Sequence, residues 1–159
     1  MKYYKVLNSL MQRCGYQYTP GVNDLRGMID DDHEPMVSYF TDVTNILRYI
    51  DCGPILCEVN PKWGKVYDPE TFVKDGEEIP GWYTDRIWLS KPMKLWTVET
   101  FDKLIKEGAK FIFEDDDYHL FKKACLIDAE VFYYLMDLAE LQPELYEDIC
   151  MTLQVYGFK

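Results

Sequence analysis

The hydrophobic pattern of this chain changes period once, near residue 96, and that change limits the fold more than any motif does. Ahead of it, short apolar runs separated by turn residues read as strands. KYYKVL (2–7), MVSYF (36–40), ILCEV (55–59), KVYD (65–68) and DRIWLS (85–90) are the strand candidates. Between the first two, Gly15, Pro20, Gly21, Asn23 and Gly27 place turn chemistry around a short Tyr-rich strand. One helix interrupts the series. Val43, Ile46, Leu47 and Ile50 follow helical spacing, Thr41 or Asp42 can cap them, and Gly53-Pro54 ends the run. DGEEIPGW (75–82) reads as a polar loop.

Beyond residue 96 the spacing is helical throughout. TVETFDKLIKEG (97–108) sets Val98, Phe101, Leu104 and Ile105 on one face, with Thr97 as cap and Gly108 as stop. FIF (111–113) reads as a short extended piece, and EDDD (114–117) puts carboxylates ahead of a helix, where the dipole favours them. Helices are expected at about 117–125, 128–141 and 143–156, with Pro143 suited to a first turn. Strands then helices in this order predict an α+β fold. The expectation is a mostly antiparallel sheet with a packed helix over 1–95, and a helical region over 96–159 packed on it. The two form one cooperative unit, because the helical segments are too short to stand alone.

Length and composition agree with a folded domain. The chain has 159 residues, of which 48% are apolar, with 13 Tyr, 8 Phe and 4 Trp. A chain of this size buries roughly 70% of its extended surface, so it needs no covalent staple. The net charge of −11 argues against direct nucleic-acid binding, which needs clustered Lys and Arg. No run approaches a membrane span, and MKYYKVLNSLMQRCG lacks the apolar stretch and cleavage site of a signal peptide. The five cysteines are Cys14, Cys52, Cys57, Cys125 and Cys150. An odd number without a secretory signal reads as free thiols in a reducing, intracellular compartment. Cys52 and Cys57 lack a second pair, and His33 and His119 stand far apart, so no zinc site is expected. Cys57, Cys125 and Cys150 read as small buried apolar residues.

Motifs for other chemistry are missing. Ser9, Ser38 and Ser90 have no G-x-S-x-G setting, and no Gly-rich phosphate loop exists. DDDHE (30–34) lacks the glycine and terminal glutamate spacing of a calcium loop and reads as a solvated turn. Neither a metal nor a cofactor is expected. Most of the aromatic excess is core: Tyr18, Tyr39, Phe40, Tyr49 and Phe101 sit at apolar positions. Trp63 and Trp82 fall in expected loops, where tryptophan marks contact surfaces.

Charge is also segregated. Residues 124–158 contain Asp128, Glu130, Asp137, Glu140, Glu144, Glu147 and Asp148, and neither Lys nor Arg. Tyr133, Asp137 and Glu140 fall at i, i+4 and i+7, away from the apolar side of Val131, Phe132, Leu135 and Leu138. Glu144 continues that edge. Carboxylates mixed with tyrosine suit a partner with a basic surface.

Two segments resemble pieces of ankyrin repeats. VETFDKLIKEGA (98–109) has the shape of a second repeat helix and its Gly-Ala turn, and YHLFKKA (118–124) with EVFYYLMD (130–137) resembles a degenerate helix pair. The first 95 residues resemble the N-terminal domain of ankyrin-repeat proteins encoded by giant amoeba-infecting DNA viruses. The resemblance is carried by Lys2-Tyr3-Tyr4-Lys5, Gly15-Tyr16-Gln17-Tyr18, Gly21-Val22-Asn23 and Tyr39-Phe40-Thr41-Asp42. It continues through Leu56-Cys57-Glu58-Val59, Val66-Tyr67-Asp68-Pro69, Thr84-Asp85-Arg86-Ile87 and Leu95-Trp96. It implies a viral protein inside the host cell, in cytoplasm or virus factory, that binds host or viral proteins without catalysis.

A second resemblance gives the alternative. MVSYFTDVTNILRYIDCGPILCEV (36–59) is similar to the strand–helix–strand order of the ADP-ribosyltransferase fold. That implies an NAD-using enzyme with Tyr39 stacking on the nicotinamide. Glu58 and Glu70 are the available acids, and the first strand offers Tyr3 and Tyr4 where that fold has a His or Arg.

Overall fold

In the computed structural model the chain is α+β, with helices gathered toward its C-terminal half. Residues 2–13, 15–30, 33–60, 66–67, 72–74, 77–79, 81–110 and 118–155 are described. The strands are β1 (Tyr3–Leu7), β2 (Gln12–Arg13), β3 (Tyr16–Gln17), β4 (Gly21–Asp24), β5 (Ser38–Asp42), β6 (Ile55–Asn60), β7 (Val66–Tyr67), β8 (Phe72–Lys74), β9 (Glu77–Ile79), β10 (Trp82–Thr84), β11 (Arg86–Leu89) and β12 (Met93–Lys94). A 3-10 helix covers Val43–Cys52. The α-helices are α1 (Val98–Lys106), α2 (His119–Ile127), α3 (Ala129–Glu140) and α4 (Pro143–Val155).

The main sheet runs β4-β11-β6-β1-β5-β10-β7, and every pairing in it is antiparallel. β1 lies at the centre. Its residues alternate between two clusters, so the strand is buried on both faces. Tyr4 and Val6 join Leu56, the 3-10 helix and the α-helices in the larger cluster. Leu7 joins Tyr18, Leu25, Phe40, Cys57, Val59, Ile87 and Leu89 in the smaller one. Lys5 is buried on that second side. Its ammonium donates to the Tyr39 carbonyl at 2.6 Å and lies 5.2 Å from the Tyr18 ring centre, so the charge keeps polar company.

β11 and β12 both pair with β6, and the register slips between them. Trp88 faces Asn60 and Leu89 faces Val59, whereas Met93 faces Leu56. Ser90, Lys91 and Pro92 therefore stand opposite only Glu58 and Cys57, which is a β-bulge. Pro92 has no N–H for a ladder. Ser90 maintains the pairing instead: its N–H donates to the Glu58 carbonyl at 2.9 Å and its Oγ accepts from the Glu58 N–H at 2.8 Å.

Several expected elements take a different form. The helix after β5 is 3-10 over ten residues. Asp42 caps it, its carboxylate accepting from the Asn45 N–H at 3.1 Å. Val43, Ile46, Tyr49 and Cys52 recur every third residue and all pack on the larger cluster, which is the repeat of a 3-10 helix. The loop expected over 75–82 contains strand instead. β9 pairs with β8, Phe72 against Ile79 and Lys74 against Glu77, and β10 then pairs with β5. The strand expected over MVSYF (36–40) begins two residues later, at Ser38, and runs to Asp42. FIF and EDDD lie outside the described residues.

The larger cluster holds the two parts of the chain against each other. Tyr4, Val6 and Leu56 from the sheet share it with Phe101 and Leu104 of α1, Leu120 and Phe121 of α2, Val131 and Leu135 of α3, and Ile149 of α4. Polar bonds reinforce the join. The Tyr4 hydroxyl donates to Glu107, just past α1, while Lys103 donates to that hydroxyl at 2.6 Å and to the Glu107 carboxylate at 2.8 Å. Lys2 reaches the same carboxylate at 3.0 Å. On another edge, Asp51 of the 3-10 helix accepts from Lys123 of α2 at 2.5 Å and pairs with the His119 ring at 2.9 Å.

These carboxylates link stability to pH. Burial works to raise Glu107, but the hydrogen bonds from Lys103, Tyr4 and Lys2 outweigh it and hold its pKa below the ordinary glutamate value. Asp51 behaves likewise: burial opposes, and Lys123 and His119 prevail. A carboxyl with a depressed folded pKa contributes stability above its unfolded pKa and loses it as pH falls through the folded value. Urea midpoints should therefore stay level from neutral pH down to about 5 and fall below about pH 4.5, the ordinary carboxylate range. Glu107→Gln should flatten part of that fall. An acid limb of unchanged depth in the variant would remove Glu107 from the account.

Candidate interaction surface

α2, α3 and α4 form a layer in which each helix packs on the next. Asp128 alone separates α2 from α3, and its side chain caps α3 by accepting from the Val131 N–H at 3.0 Å. Leu141 and Gln142 connect α3 to α4. α3 buries Val131, Phe132, Leu135 and Ala139, and α4 buries Ile149 and Leu153. A tether to α1 fixes the rotation of α3: the Tyr134 hydroxyl donates to Asp102 at 2.9 Å. The opposite side of α3 is turned outward as a consequence.

That outward side carries the expected residues. Tyr133 is 66% exposed, and Asp137 and Glu140 follow it on the same stripe, both exposed. Glu144 is exposed at the start of α4. The ring of Tyr133 lies 5.6 Å from that of Phe132, edge to face. Carboxylates of one sign on a wet surface, with no Lys or Arg from 124 to 155, produce a negative field that draws cations and basic side chains.

The surface also holds apolar residues that periodicity alone assigns no role. Leu126, Ile127, Leu141, Met151 and Val155 are all exposed, Val155 by 81%. Part of the signal is readable: Glu144, Asp148, Met151 and Val155 are spaced i, i+4, i+7 and i+11 on α4, a stripe opposite Ile149 and Leu153.

The tryptophans fare differently. Trp63 lies outside the described residues. Trp82 is no loop residue: it opens β10, pairs with Phe40 across to β5, and is half-buried. Its ring stacks on Phe40 at 5.8 Å and meets the edge of Tyr3 at 5.5 Å, which makes it part of the smaller cluster.

Tyr39, the residue of the enzyme alternative, is enclosed by aromatic neighbours. Its hydroxyl shares a hydrogen bond with that of Tyr49, and its ring lies 5.1 Å from Tyr49 and 5.5 Å from Tyr83. Gly81 presses against it so closely that a Cβ there would overlap the phenol. Burial, then the bond to Tyr49, pushes the Tyr39 hydroxyl far above its ordinary pKa. The adjoining cleft is narrow and includes Tyr4, Arg13, Thr41, Tyr49 and Cys52 in its walls. Glu58 is separated from Tyr39 by β1, and Glu70 lies outside the described residues.

Among the described residues, no three His, Cys, Asp or Glu side chains gather as metal ligands, and no helix is long and apolar enough to cross a membrane. Cys57 is fully buried, and burial pushes its thiol up to about 11, while Cys52, Cys125 and Cys150 are half-buried and free. No protein-family model matches this chain, and no solved structure matches it.

Proposed function

We propose that this chain is a non-catalytic protein–protein interaction module of viral origin, acting inside the host cell on a host or viral protein with a basic surface. The observation that carries the reading is the outward stripe of α3, where Tyr133, Asp137 and Glu140 stand exposed in a stretch free of cations. Tyrosine contributes contact area at low entropic cost, and the carboxylates steer a basic partner. The resemblance of the first 95 residues to the N-terminal domain of giant-virus ankyrin-repeat proteins supports the viral, intracellular part.

Asp137→Lys combined with Glu140→Lys tests it. Both side chains are exposed, so the melting temperature should hardly move. Affinity for a partner captured from infected or transfected cells should fall by about tenfold or more, and rising salt should weaken the wild-type complex by screening over about 8 Å. A partner indifferent to both salt and the double substitution would place the contact elsewhere. Labelled NAD tests the alternative: transfer of label to host protein that disappears in Tyr39→Ala would replace this reading with ADP-ribosyl transfer.

A further inference from the structure

We infer that the cleft between the 3-10 helix and strands β1 and β5 is a clamp for a small oxyanion group, a carboxylate or phosphate end, held between the Arg13 guanidinium and the Tyr49 hydroxyl. The site is independent of the acidic stripe on α3. Four elements converge on it: Arg13 comes from β2, Tyr4 from β1, Tyr39 and Thr41 from β5, and Tyr49 from the 3-10 helix. The donors are held in place by their surroundings. Gly81 and Tyr83 confine the Tyr39 ring, and the Tyr39 hydroxyl shares a hydrogen bond with that of Tyr49. Arg13 stands opposite Tyr16 in a hairpin braced by amides. Asn8 Oδ1 accepts from the Leu10 and Gln12 N–H groups at 3.1 and 2.9 Å, and the Gln17 side chain donates to the Leu10 carbonyl at 2.8 Å. Groups fixed beforehand lose little freedom on binding.

Positive charge reaches the cleft. Arg13 has no ion pair among the described residues, in a chain with 28 Asp and Glu. The charges of Arg13 and Arg48 both act on the Tyr49 hydroxyl and favour a negative charge there. Tyr49 does not supply that charge itself, because burial outweighs the two arginines and raises its pKa. An anion from outside answers the field instead. The hydroxyls are arranged to receive it. Thr41 bonds to Tyr39, and Tyr39 to Tyr49. Run in that direction, the chain of hydroxyls ends in a Tyr49 O–H that accepts from Tyr39 and donates to the anion.

Size sets the class of ligand. The cleft has space for about one water molecule. A whole small molecule does not enter, but one oxygen does. A carboxylate or phosphate end meets that condition. One of its oxygens takes the inner place and accepts from Tyr49. A second meets the guanidinium, whose forked N–H groups suit paired oxygens. The rest of the molecule stays outside, where Arg13 is exposed. Chloride presents no such pair of oxygens.

The test follows the Arg13 side-chain Nε–H signal by heteronuclear NMR of the full chain. Sodium acetate, sodium phosphate and sodium chloride are titrated at matched ionic strength. Arg13→Gln identifies the signal by deleting it, and its melting temperature should match the wild type because Arg13 is exposed. Acetate or phosphate should move the signal along a saturating curve, and chloride should not. The backbone amides of Tyr39 and Tyr49 should follow the same curve and stay still in Arg13→Gln. Tyr49→Phe keeps the ring against Tyr39 and removes only the hydroxyl. It should weaken binding by about tenfold, the scale of one hydrogen bond to a charged group. The oxyanion that saturates at the lower concentration identifies the end group as carboxylate or phosphate. A signal that drifts in proportion to all three salts overturns the inference, because an arginine in open solvent behaves that way. Saturation of equal strength in Tyr49→Phe overturns it as well, since the cleft then takes no part.

Discussion

Gly53→Ala is expected to destabilise the protein by about 3 kcal/mol or more, because backbone strain and a clash act together. Gly53 follows the 3-10 helix with φ 144° and ψ 179°, a conformation open to glycine and closed to alanine. The new Cβ would also overlap the Leu7 carbonyl oxygen and stand 2.6 Å from the Asn8 Cα. Those are backbone atoms at the end of the central strand, so no rotamer change relieves the contact. Gly108→Ala separates the two effects. Gly108 has φ 113°, and a methyl group added there would meet nothing within 4 Å, so strain acts without a clash. Urea denaturation of both variants is the measurement. Equal midpoints would show that the approach of Leu7 contributes nothing.

Phe101→Ala should cost about 3–5 kcal/mol, the usual loss for truncating a fully enclosed phenylalanine. The ring is completely buried and lies 5.3 Å from Trp96. Its cluster contains β1, the 3-10 helix and all four α-helices, so the damage belongs to no single part. Measured in a Trp63→Phe, Trp96→Phe background, where the remaining Trp82 and Trp88 lie in the sheet, helical circular dichroism and tryptophan fluorescence should shift together by the same amount. Helical signal lost at lower denaturant than the sheet fluorescence would divide the chain into two separately folding parts.

How much of this was legible in the sequence depends on which force decides each element. α1, α3 and α4 follow from apolar spacing and caps, and the structure places them within a residue or two of the expected bounds: Thr97 and Asp128 cap, and Pro143 starts. Local signals were sufficient because these helices place one face on the core. The 3-10 form of Val43–Cys52 was hidden, since positions 43, 46, 47 and 50 suit either helix and only Tyr49 and Cys52 reveal the threefold repeat. The β8–β9 hairpin had a local signal in Asp75-Gly76, a dipeptide that favours two-residue hairpin turns, but the neighbouring Glu77 and Glu78 gave the stretch a loop's polarity. Trp82 was misplaced for the same reason, between Pro80-Gly81 and the strand that follows. The acidic stripe of α3 was readable from spacing. The exposure of Leu126, Ile127 and Leu141 was not, because whether an apolar side chain is covered depends on which neighbours pack on it and not on local spacing.

The central position of β1 sets an order on synthesis. Tyr3 pairs with Asp42 on one side and with Val59 on the other, so this strand has no complete set of neighbours until β6 has followed it out of the ribosome. Lys2 and Tyr4 wait longer still, for Glu107. Closing such long loops before any contact rewards them is what makes a topology slow to fold. During that wait KYYKVL is an unpaired apolar strand, the kind of segment that recruits others like it. Lys2 and Lys5 bracket the two tyrosines, and their charge gives the unfinished strand a means of keeping apart from its copies until the sheet closes around it.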